Sequence, residues 1–310
     1  MQTFLPYADF DRSAAVLDQP RLGKQRVETL QVLRALELPE YGWAHHPVVT
    51  MWRGRTQALV AYGLACVRAW RALGHADSTA DLIGEFAPDV VGAAQADLAE
   101  AGLLPSWLGS EPLHLSHRSA LVRKDPAFYR ERFEPGVPDD LPYLWPPSDD
   151  VPDRAPAPGR ALWVVRAADA TTLGVLVGEG VIGLDTRSGV DVAADGGPLR
   201  ELLAQRAEET GERLRPGKAL RQLQALLTDV AVGDEVAVPV QGEHALLLGE
   251  VTGDYVFAGP RALVPHRRPV RWLDVVPRAA VDRPAVLQDP RSLFRVSLRL
   301  AAAPADDVLG

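Results

Sequence analysis

Hydrophobic and polar positions change their spacing about halfway along the chain. Residues 12–17, 21–36, 48–74, 78–101 and 116–133 are long runs rich in Ala and Leu, which predicts helices. Later apolar runs are short and bounded by Gly, Pro and Asp, which predicts strands in ALWVVRA, GVLVGEGVIGL, DEVAVPV, ALLLGEVTG and RPVRWLDVV. Two helices are expected among them, at 198–208 and 217–229. The pattern therefore predicts a multidomain protein, with an all-α N-terminal domain followed by an α+β domain built on a barrel-like sheet.

A segment rich in proline and aspartate separates the two patterns. The sequence LPYLWPPSDDVPDRAPAPGR covers residues 141–160 and has few apolar side chains after Trp145. Such a composition cannot sustain a helix or a central strand. We therefore expect a helical domain at 1–145, a linker at 146–160 and a second domain at 161–300.

The predicted helix that follows Asp18 has an apolar face and a polar face. Four apolar side chains are expected to face the core: Leu22, Val27, Leu30 and Leu33. Four polar side chains fall within roughly 80° of arc: Arg21, Lys24, Glu28 and Gln31. The polar face is either a solvated surface with a Lys24–Glu28 pair or a site in which one carboxylate lies among cations.

Two further polar clusters are candidate contacts for phosphate groups. His46 precedes Pro47 at a predicted helix start, with Arg53 one to two turns later. The second cluster, in residues 116–133, contains His117, Arg118, Arg123 and Lys124. A helix cap and a surface helix are the structural alternatives, whereas Arg and Lys in a DNA-binding protein contact phosphates.

Composition and charge narrow the function classes. The chain has 33 Lys and Arg against 41 Asp and Glu, a net charge of −8, so it is not coated with positive charge. A nucleic-acid site needs only a local basic surface. The single cysteine, Cys66, is expected to be a buried apolar residue. We expect no metal or cofactor, because neither metal-ligand spacing nor a phosphate-binding glycine loop is present. Without a signal peptide or a long apolar run, a cytoplasmic location is expected.

Four motifs in the first part are similar to those of a known family. They are LDQPRLGKQRVETLQVL, HHPVVTMWRG, SHRSALVRKDPAFYRERF and DLPYLWP. On these motifs residues 1–145 resemble the pyrimidine-dimer DNA glycosylase family, in particular an uncharacterised bacterial branch. The resemblance implies an all-α glycosylase and abasic-site lyase that acts on double-stranded DNA, with Glu28 as its catalytic carboxylate. The DNA-contacting candidates are Arg21, Arg26, Gln31, His46, Arg53, His117, Arg118, Arg123 and Lys124.

The start of the chain departs from the family pattern. In the family the nucleophile is the α-amine of an N-terminal threonine, exposed when methionine is removed, whereas this sequence reads Met1-Gln2-Thr3. Glutamine is too bulky for ordinary methionine removal. Three alternatives remain: the Met1 α-amine or Lys24 attacks the sugar, or Glu28 assists attack by water. All three require Glu28, which would stabilise positive charge on the sugar as the base leaves.

The second part resembles PUA/EVE-like domains of the type joined to restriction nucleases. The resemblance rests on ALWVVRA, GVIGLD, VGDEVAVP, LLLGEVTGDYVF and PHRRPVRWLDVVPR. It implies an aromatic pocket for a flipped modified base. The candidate walls are Trp163, Tyr255 and Trp272, and the candidate polar readers are Arg166, Arg268 and Arg271. Leu184 stands where many relatives have tryptophan, a departure within the expected pocket.

The sequence thus favours a DNA glycosylase that excises a damaged or modified pyrimidine, with lyase activity left open. Its role is either DNA repair or defence against phage DNA with modified bases. The alternative from another class is a non-catalytic reader of modified nucleic acid, and a role on RNA is a third option. The sequence leaves the excised base and the oligomeric state open.

Overall fold

A computed structural model describes residues 1–39, 41–149, 160–184, 191, 201, 208, 221–240, 242–281 and 283–298. The chain divides into two compact units, Met1–Ala155 and Pro156–Gly310. The first is helical and the second is built on a mixed β-sheet. None of the helices in the described ranges is long and apolar enough to cross a membrane.

The helices of the first unit follow the predicted runs with several interruptions. They are α1 (Phe10–Ala15), α2 (Gln19–Glu37), α3 (Pro47–Trp52), α4 (Thr56–Ala72), α5 (Ala80–Gly84), α6 (Gln95–Glu100), α7 (Glu111–Lys124) and α8 (Pro126–Tyr129). The run 48–74 is two helices rather than one, because Gly54 takes a left-handed φ of 74° between α3 and α4. The run 78–101 is also broken, with a short turn of helix at Pro88–Val90 and a left-handed Gly92.

Helix α2 packs against α4 through a stripe that contains polar as well as apolar side chains. Gln25 and Thr29 are buried on this stripe beside Leu22 and Leu33. Val27, which the sequence predicted to face the core, is instead 40% exposed. The two helices approach closely at Gly63, where an added Cβ would lie 2.6 Å from the Thr29 methyl group. The close contact positions α2, which carries the candidate site.

The end of the first unit extends into the predicted linker. Asp149 accepts a hydrogen bond from the Arg55 side chain at 2.7 Å and another from the Ser106 backbone at 2.9 Å. Residue 149 therefore belongs to the helical unit, although the linker was expected to begin at 146. Residues 150–159 lie outside the described residues.

The strands of the second unit form one curled mixed sheet, a half-barrel. They are β1 (Arg160–Val165), β2 (Val181–Leu184), β3 (Glu235–Val240), β4 (Ala245–Val251), β5 (Val256–Phe257), β6 (His266–Pro277) and β7 (Leu293–Leu298). The order is β2-β6-β4-β3-β1-β7, and β5 pairs with β6. Only the β1–β3 pair is parallel among the described strand pairs.

Alternation along β1 distributes its side chains between two apolar clusters. Trp163 and Val165 belong to one cluster, and Leu162 and Val164 belong to the other. Residues two apart on a strand share a face, so both faces of the sheet are covered.

Two predictions for the second unit are tested by the described helices. The run GVLVG, predicted as strand, lies in helix α9 (Ala170–Gly178), whose first turn is capped by the Asp169 carboxylate. Strand β2 begins only after Gly180, which has a left-handed φ of 60°. The helix expected at 217–229 is described from residue 221, and it is helical through Asp229. The helix expected at 198–208 falls almost entirely outside the described residues.

Candidate active site

The first residues of the chain are held by side chains from the helices around them. Gln25 on α2 is buried, and its Oε1 accepts from the Phe4 backbone at 2.8 Å while its Nε2 donates to the Gln2 carbonyl at 3.0 Å. Five further side chains form hydrogen bonds with the backbone of this segment. The pairs are Tyr62 with Phe4, Tyr143 with Thr3, His114 and His117 with Leu5, and Arg118 with Pro6. These hydrogen bonds to the backbone of residues 2–6 fix the path of the N-terminal segment.

Glu28 lies one turn beyond Gln25 on α2 and meets the same segment. Its Oε2 accepts from the Gln2 backbone N–H at 3.1 Å and faces the Gln25 amide at 3.4 Å. The side chain is partly exposed, and both contacts lie on one oxygen. The carboxylate is thus fixed in orientation while remaining open to a ligand.

A cavity of about 700 Å³ opens beside this carboxylate. Its lining includes Glu28 and Gln2 together with three basic residues, Arg21, Lys24 and Lys124. This volume falls within the range of roughly 300–1,000 Å³ that is typical of ligand sites. The structure thus brings together four of the sequence-predicted residues, three from α2 and one from the end of α7.

The charged side chains that line this cavity differ in whether they already have a partner within the protein. Arg21 is paired with Asp18, which also caps α2 by accepting from the Arg21 backbone at 2.8 Å. Asp125 caps α8 by accepting from the Phe128 backbone at 3.1 Å. Lys24 and Lys124 are exposed and have no carboxylate within salt-bridge distance among the described residues. Two ammonium groups therefore remain available for anionic groups of a ligand.

His46 connects this region to a row of aromatic side chains. Its Nδ1 accepts from the Val48 backbone at 3.1 Å, which caps α3 and leaves hydrogen on Nε2. Burial lowers the pKa of His46, the α-amino group of Met1 lowers it further, and Glu28 acts in the opposite direction. His46 is therefore neutral at neutral pH, and both the α-amino group and Glu28 are near enough to influence its charge.

The aromatic row runs from the interior to the surface. Tyr143 stacks on His117 with ring centroids 4.2 Å apart and contacts Trp145 at 4.4 Å. Trp145 meets His46 edge to face at 5.8 Å, and His46 meets Trp43 at 5.7 Å. Burial raises the pKa of Tyr143, and the charge of Glu28 raises it further, so the phenol stays protonated. It donates to the Thr3 carbonyl at 2.7 Å.

Three residues predicted to contact DNA have partners within the helical unit. His117 is fully buried, accepts from the Leu5 backbone through Nδ1 at 2.9 Å, and donates from Nε2 to the Leu144 carbonyl at 3.3 Å. Arg118 is 4% exposed and pairs with Glu111 and Glu134. The Arg26 guanidinium pairs with the Asp77 carboxylate and lies 4.5 Å from the centre of the Trp70 ring. These internal contacts give the three residues structural roles, and a DNA contact by any of them stays a prediction.

The remaining predicted contacts lie outside the lining of the cavity. Arg123 is exposed and donates to the carbonyls of Asp139 and Leu141 at 3.0 and 3.1 Å. Arg53 is exposed at the end of α3, and Gln31 is half-buried on α2 one turn beyond Glu28. Arg53 and Gln31 stay predictions, whereas Arg123 is already engaged by the loop around residue 140.

Three of the residues predicted to form the base pocket of the second unit are occupied by internal contacts. Trp163 is buried in the core and donates to Asp234 at 2.9 Å. Arg268 is 5% exposed and donates to the carbonyls of Leu226 and Leu227, both at 2.8 Å. Arg166 donates to the carbonyls of Leu287 and Asp289. These contacts hold the unit together, and a role for the three residues as a stacking wall and as polar readers stays a prediction.

The other three residues of that predicted pocket differ in exposure and in partners, although Tyr255 and Trp272 pack against the same apolar cluster. Arg271 is exposed and pairs with Glu250 at 2.7 Å, while its neighbour Trp272 packs against the core on the opposite face of β6. Tyr255 is half-buried, and its hydroxyl contacts His266 Nδ1 at 2.8 Å. A base-binding role for these residues stays a prediction.

Sequence reasoning missed the residues that orient the site. Gln25 lies three positions before Glu28 on the apolar stripe of α2, and a polar residue at such a position is a signal of internal hydrogen bonding. Trp145 lies within the motif DLPYLWP and Trp43 lies two residues before HHPVVTMWRG, far apart in sequence. Only the fold brings them to the same histidine.

Comparisons with known proteins match one segment of each unit to a family. Residues 1–82 match the family described as pyrimidine dimer DNA glycosylase, a segment that includes Glu28, Lys24 and His46. Residues 177–286 match a domain of unknown function, DUF8426, which provides no link to PUA or EVE domains. No curated protein and no solved structure gives a significant match to the chain. The start of the helical unit is therefore similar to a DNA glycosylase.

Proposed function

We propose that the helical unit is a DNA glycosylase that excises a damaged or modified pyrimidine base from double-stranded DNA. The observation that supports this most strongly is the placement of Glu28. The carboxylate is partly exposed, fixed by Gln2 and Gln25, and lines a cavity with three basic residues. The match of residues 1–82 to a glycosylase family supports the same conclusion.

The chemical task of Glu28 in this proposal is to stabilise positive charge on the sugar. As the C1′–N bond breaks, its electron pair leaves with the pyrimidine, and the sugar acquires oxocarbenium character. A fixed carboxylate close to C1′ lowers the energy of that state, because it needs no reorganisation when the charge develops. The ammonium groups of Lys24 and Lys124, which have no carboxylate partner among the described residues, would bind the flanking phosphates.

A lyase step is the second part of the proposal, with two candidate nucleophiles. An amine that attacks C1′ as the base leaves forms a C–N bond and loses a proton. The C1′–O4′ bond then breaks, its electron pair goes to O4′, which takes up a proton, and the nitrogen lone pair forms the C=N bond of a protonated Schiff base. Removal of a C2′ proton then expels the 3′ phosphate. The candidate amines are the α-amino group of Met1 and the side chain of Lys24. Glu28 is the base that would accept protons from the amine and from C2′.

A non-catalytic reader of DNA is the alternative, and one observation favours it. Lys24 and Lys124 give the cavity its unpaired positive charge, and that charge would bind DNA whether or not a base is removed. In this alternative, Glu28 would orient the N-terminal segment and take no part in chemistry. The second unit would then contribute its own DNA contacts through residues such as the exposed Arg271.

The experiment that tests the proposal uses the full chain and a panel of duplexes. Each duplex carries one cyclobutane thymine dimer, one oxidised pyrimidine or one phage-type modified pyrimidine, and an undamaged duplex is the reference. Release of a free base from a duplex with a single modified pyrimidine supports the glycosylase. So does cleavage of the glycosidic bond of the dimer's 5′ nucleotide, whose base stays joined to its neighbour through the cyclobutane ring until photoreversal frees it. Binding with no release from any member supports the reader. Borohydride in a parallel series traps any Schiff base, and the mass of the trapped peptide identifies Met1 or Lys24.

A further inference from the structure

Trp43 is unusual among the aromatic side chains of the described residues. It is 63% exposed, whereas every other Trp, Tyr or Phe in those ranges is half-buried or buried. Its backbone also has a left-handed φ of 78°, a conformation that costs energy for a bulky side chain. The exposed indole and the left-handed backbone of Trp43 both lower the stability of the folded chain. A binding role for Trp43 explains why both are present.

The position of Trp43 is fixed despite its exposure. Its carbonyl accepts from the His46 backbone at 2.8 Å, in a tight turn that leads into α3. The indole contacts the His46 ring at 5.7 Å, and His46 is supported on its other side by Trp145. Trp43 is therefore a preorganised aromatic surface, because one edge is braced and most of the ring is open to solvent.

The location of this surface points to the class of ligand. The supporting ring, His46, is linked to the start of the chain through two aromatic rings: Trp145 contacts His46 at 5.8 Å and Tyr143 at 4.4 Å, and Tyr143 donates to the Thr3 carbonyl at 2.7 Å. Thr3 follows Gln2, which lines the cavity next to Glu28. Lys24 and Lys124 line the same cavity, and neither has a salt-bridge partner among the described residues. A strand whose phosphates bind these cations would have its bases within reach of nearby aromatic rings. Proteins that hold unstacked nucleotides combine the same two elements, a cationic groove and a stacking aromatic ring.

We propose that Trp43, braced by His46, stacks on an unpaired nucleobase of the DNA bound in the cavity and so selects distorted over regular duplexes. The inference rests on the proposed function only in that DNA is the ligand. It does not require catalysis. The indole replaces stacking that the base loses when it leaves the helix, and this gain is absent with fully paired DNA.

The test compares binding to two probes that differ at one nucleotide. One is a synthetic duplex with a single bulged thymine, and the other is the same duplex fully paired. The variants are Trp43→Ala and Trp43→Phe, with Leu73→Ala as the control because Leu73 is also exposed on the helical unit, at 57%. Trp43→Ala should weaken binding to the bulged duplex by roughly tenfold to hundredfold, the usual cost of losing one stacked base, without weakening binding to the paired duplex. Trp43→Phe should retain most of the preference, and Leu73→Ala should retain all of it.

A second measurement reports the contact itself. With 2-aminopurine at the bulged position, binding of the wild-type chain should quench its fluorescence, whereas Trp43→Ala at saturating concentration should leave it bright. The inference is overturned if Trp43→Ala binds the bulged duplex as tightly as the wild type. It is also overturned if Trp43→Ala weakens binding to both duplexes equally, or if the probe stays bright with the wild type. If Trp43→Ala does not change binding to either duplex but abolishes binding to another protein, the inference is overturned and Trp43 belongs to a protein interface.

The outcomes separate this inference from the proposed function. A Trp43-dependent preference for the bulged duplex in a chain that releases no base would overturn the glycosylase and retain the stacking site. If Trp43→Ala releases base at the wild-type rate and keeps the preference for the bulged duplex, the stacking site is overturned and the glycosylase is retained.

Discussion

The backbone N–H of Gln2 donates to Oε2 of Glu28 at 3.1 Å, and Gln25 contacts both partners. The candidate carboxylate and the start of the chain are therefore positioned by one buried amide side chain. Gln25→Leu would leave the Phe4 N–H and the Gln2 carbonyl without partners in the interior. We expect it to lower the free energy of unfolding by about 2–4 kcal/mol and to slow any base release.

Urea unfolding followed by circular dichroism measures this loss, and Gln31→Leu is the matched control on the same helix. Gln31 is half-buried and has no hydrogen bond among the described residues, so its variant should unfold near the wild-type midpoint. Equal midpoints for Gln25→Leu and the wild type would contradict the role given to Gln25.

Lys24 and Arg26 lie two positions apart on α2 and are predicted to have opposite functions. Lys24→Gln should weaken DNA binding, reduce the slope of log affinity against log salt by about one, and leave stability unchanged. Arg26→Gln should instead reduce stability by about 1–3 kcal/mol, because it removes the nearer guanidinium partner of the buried Asp77 carboxylate and leaves it with Arg71 at 3.8 Å. Salt-dependent binding and thermal unfolding of both variants check this. The reverse assignment of the two effects would show that Arg26 faces the DNA.

The stability of the helical unit should decline in mild acid because of His117. Burial lowers the pKa of His117 to about 3, from an ordinary value of 6.5. Between these values the unfolded chain binds a proton that the folded chain does not, so stability is full above about pH 6.5 and falls as the pH drops. The slope from this group is about 1.4 kcal/mol per pH unit. Burial also lowers the pKa values of His114 and His46, which act in the same direction.

Urea unfolding at several pH values between about 7.5 and 4.5 measures that slope. His117→Asn retains an acceptor for the Leu5 N–H but cannot titrate. It should be less stable at neutral pH and show a shallower decline in acid. A slope unchanged by the substitution would remove His117 from this explanation.

Gly183 and Gly174 provide a matched pair in the second unit. A Cβ at Gly183 would lie 2.3 Å from the His266 carbonyl oxygen across the β2–β6 pair, whereas one at Gly174 in α9 would meet nothing within 4 Å. Gly183→Ala should therefore destabilise this unit by at least about 2 kcal/mol, through displaced backbone. Gly174→Ala should stabilise α9 by roughly 0.5–1 kcal/mol. Thermal unfolding distinguishes the two, and a tolerated Gly183→Ala would show that β2 and β6 pair differently.

The sequence predicted the parts of the fold and site that depend on local spacing. The polar face of α2 was predictable because Arg21, Lys24 and Glu28 recur at helical intervals, and the structure brings all three to one cavity. The α-helical and β-sheet units were likewise visible in the change of apolar spacing. Breaks within the long run 48–74 were not predicted, since Gly54 is a single residue in a strongly helical context.

Long-range relationships could not be derived from spacing. Charged or polar side chains such as Arg26, His117 and Arg268 looked like ligand contacts because their internal partners are distant in sequence. Those partners are Asp77, the Leu5 backbone and the Leu226 carbonyl. A buried polar residue and a binding residue have the same local pattern, and only the tertiary structure shows which groups are already satisfied.

The most direct test of the account is the rate of base release by Glu28→Gln in a single turnover on the duplex that the wild type cleaves. Glutamine keeps the size of the side chain and removes its negative charge. We predict that release falls at least about hundredfold while DNA affinity stays within a few-fold of the wild type. Glu100→Gln, an exposed carboxylate on α6, should release base at the wild-type rate. Release by Glu28→Gln at the rate of Glu100→Gln would contradict the central claim.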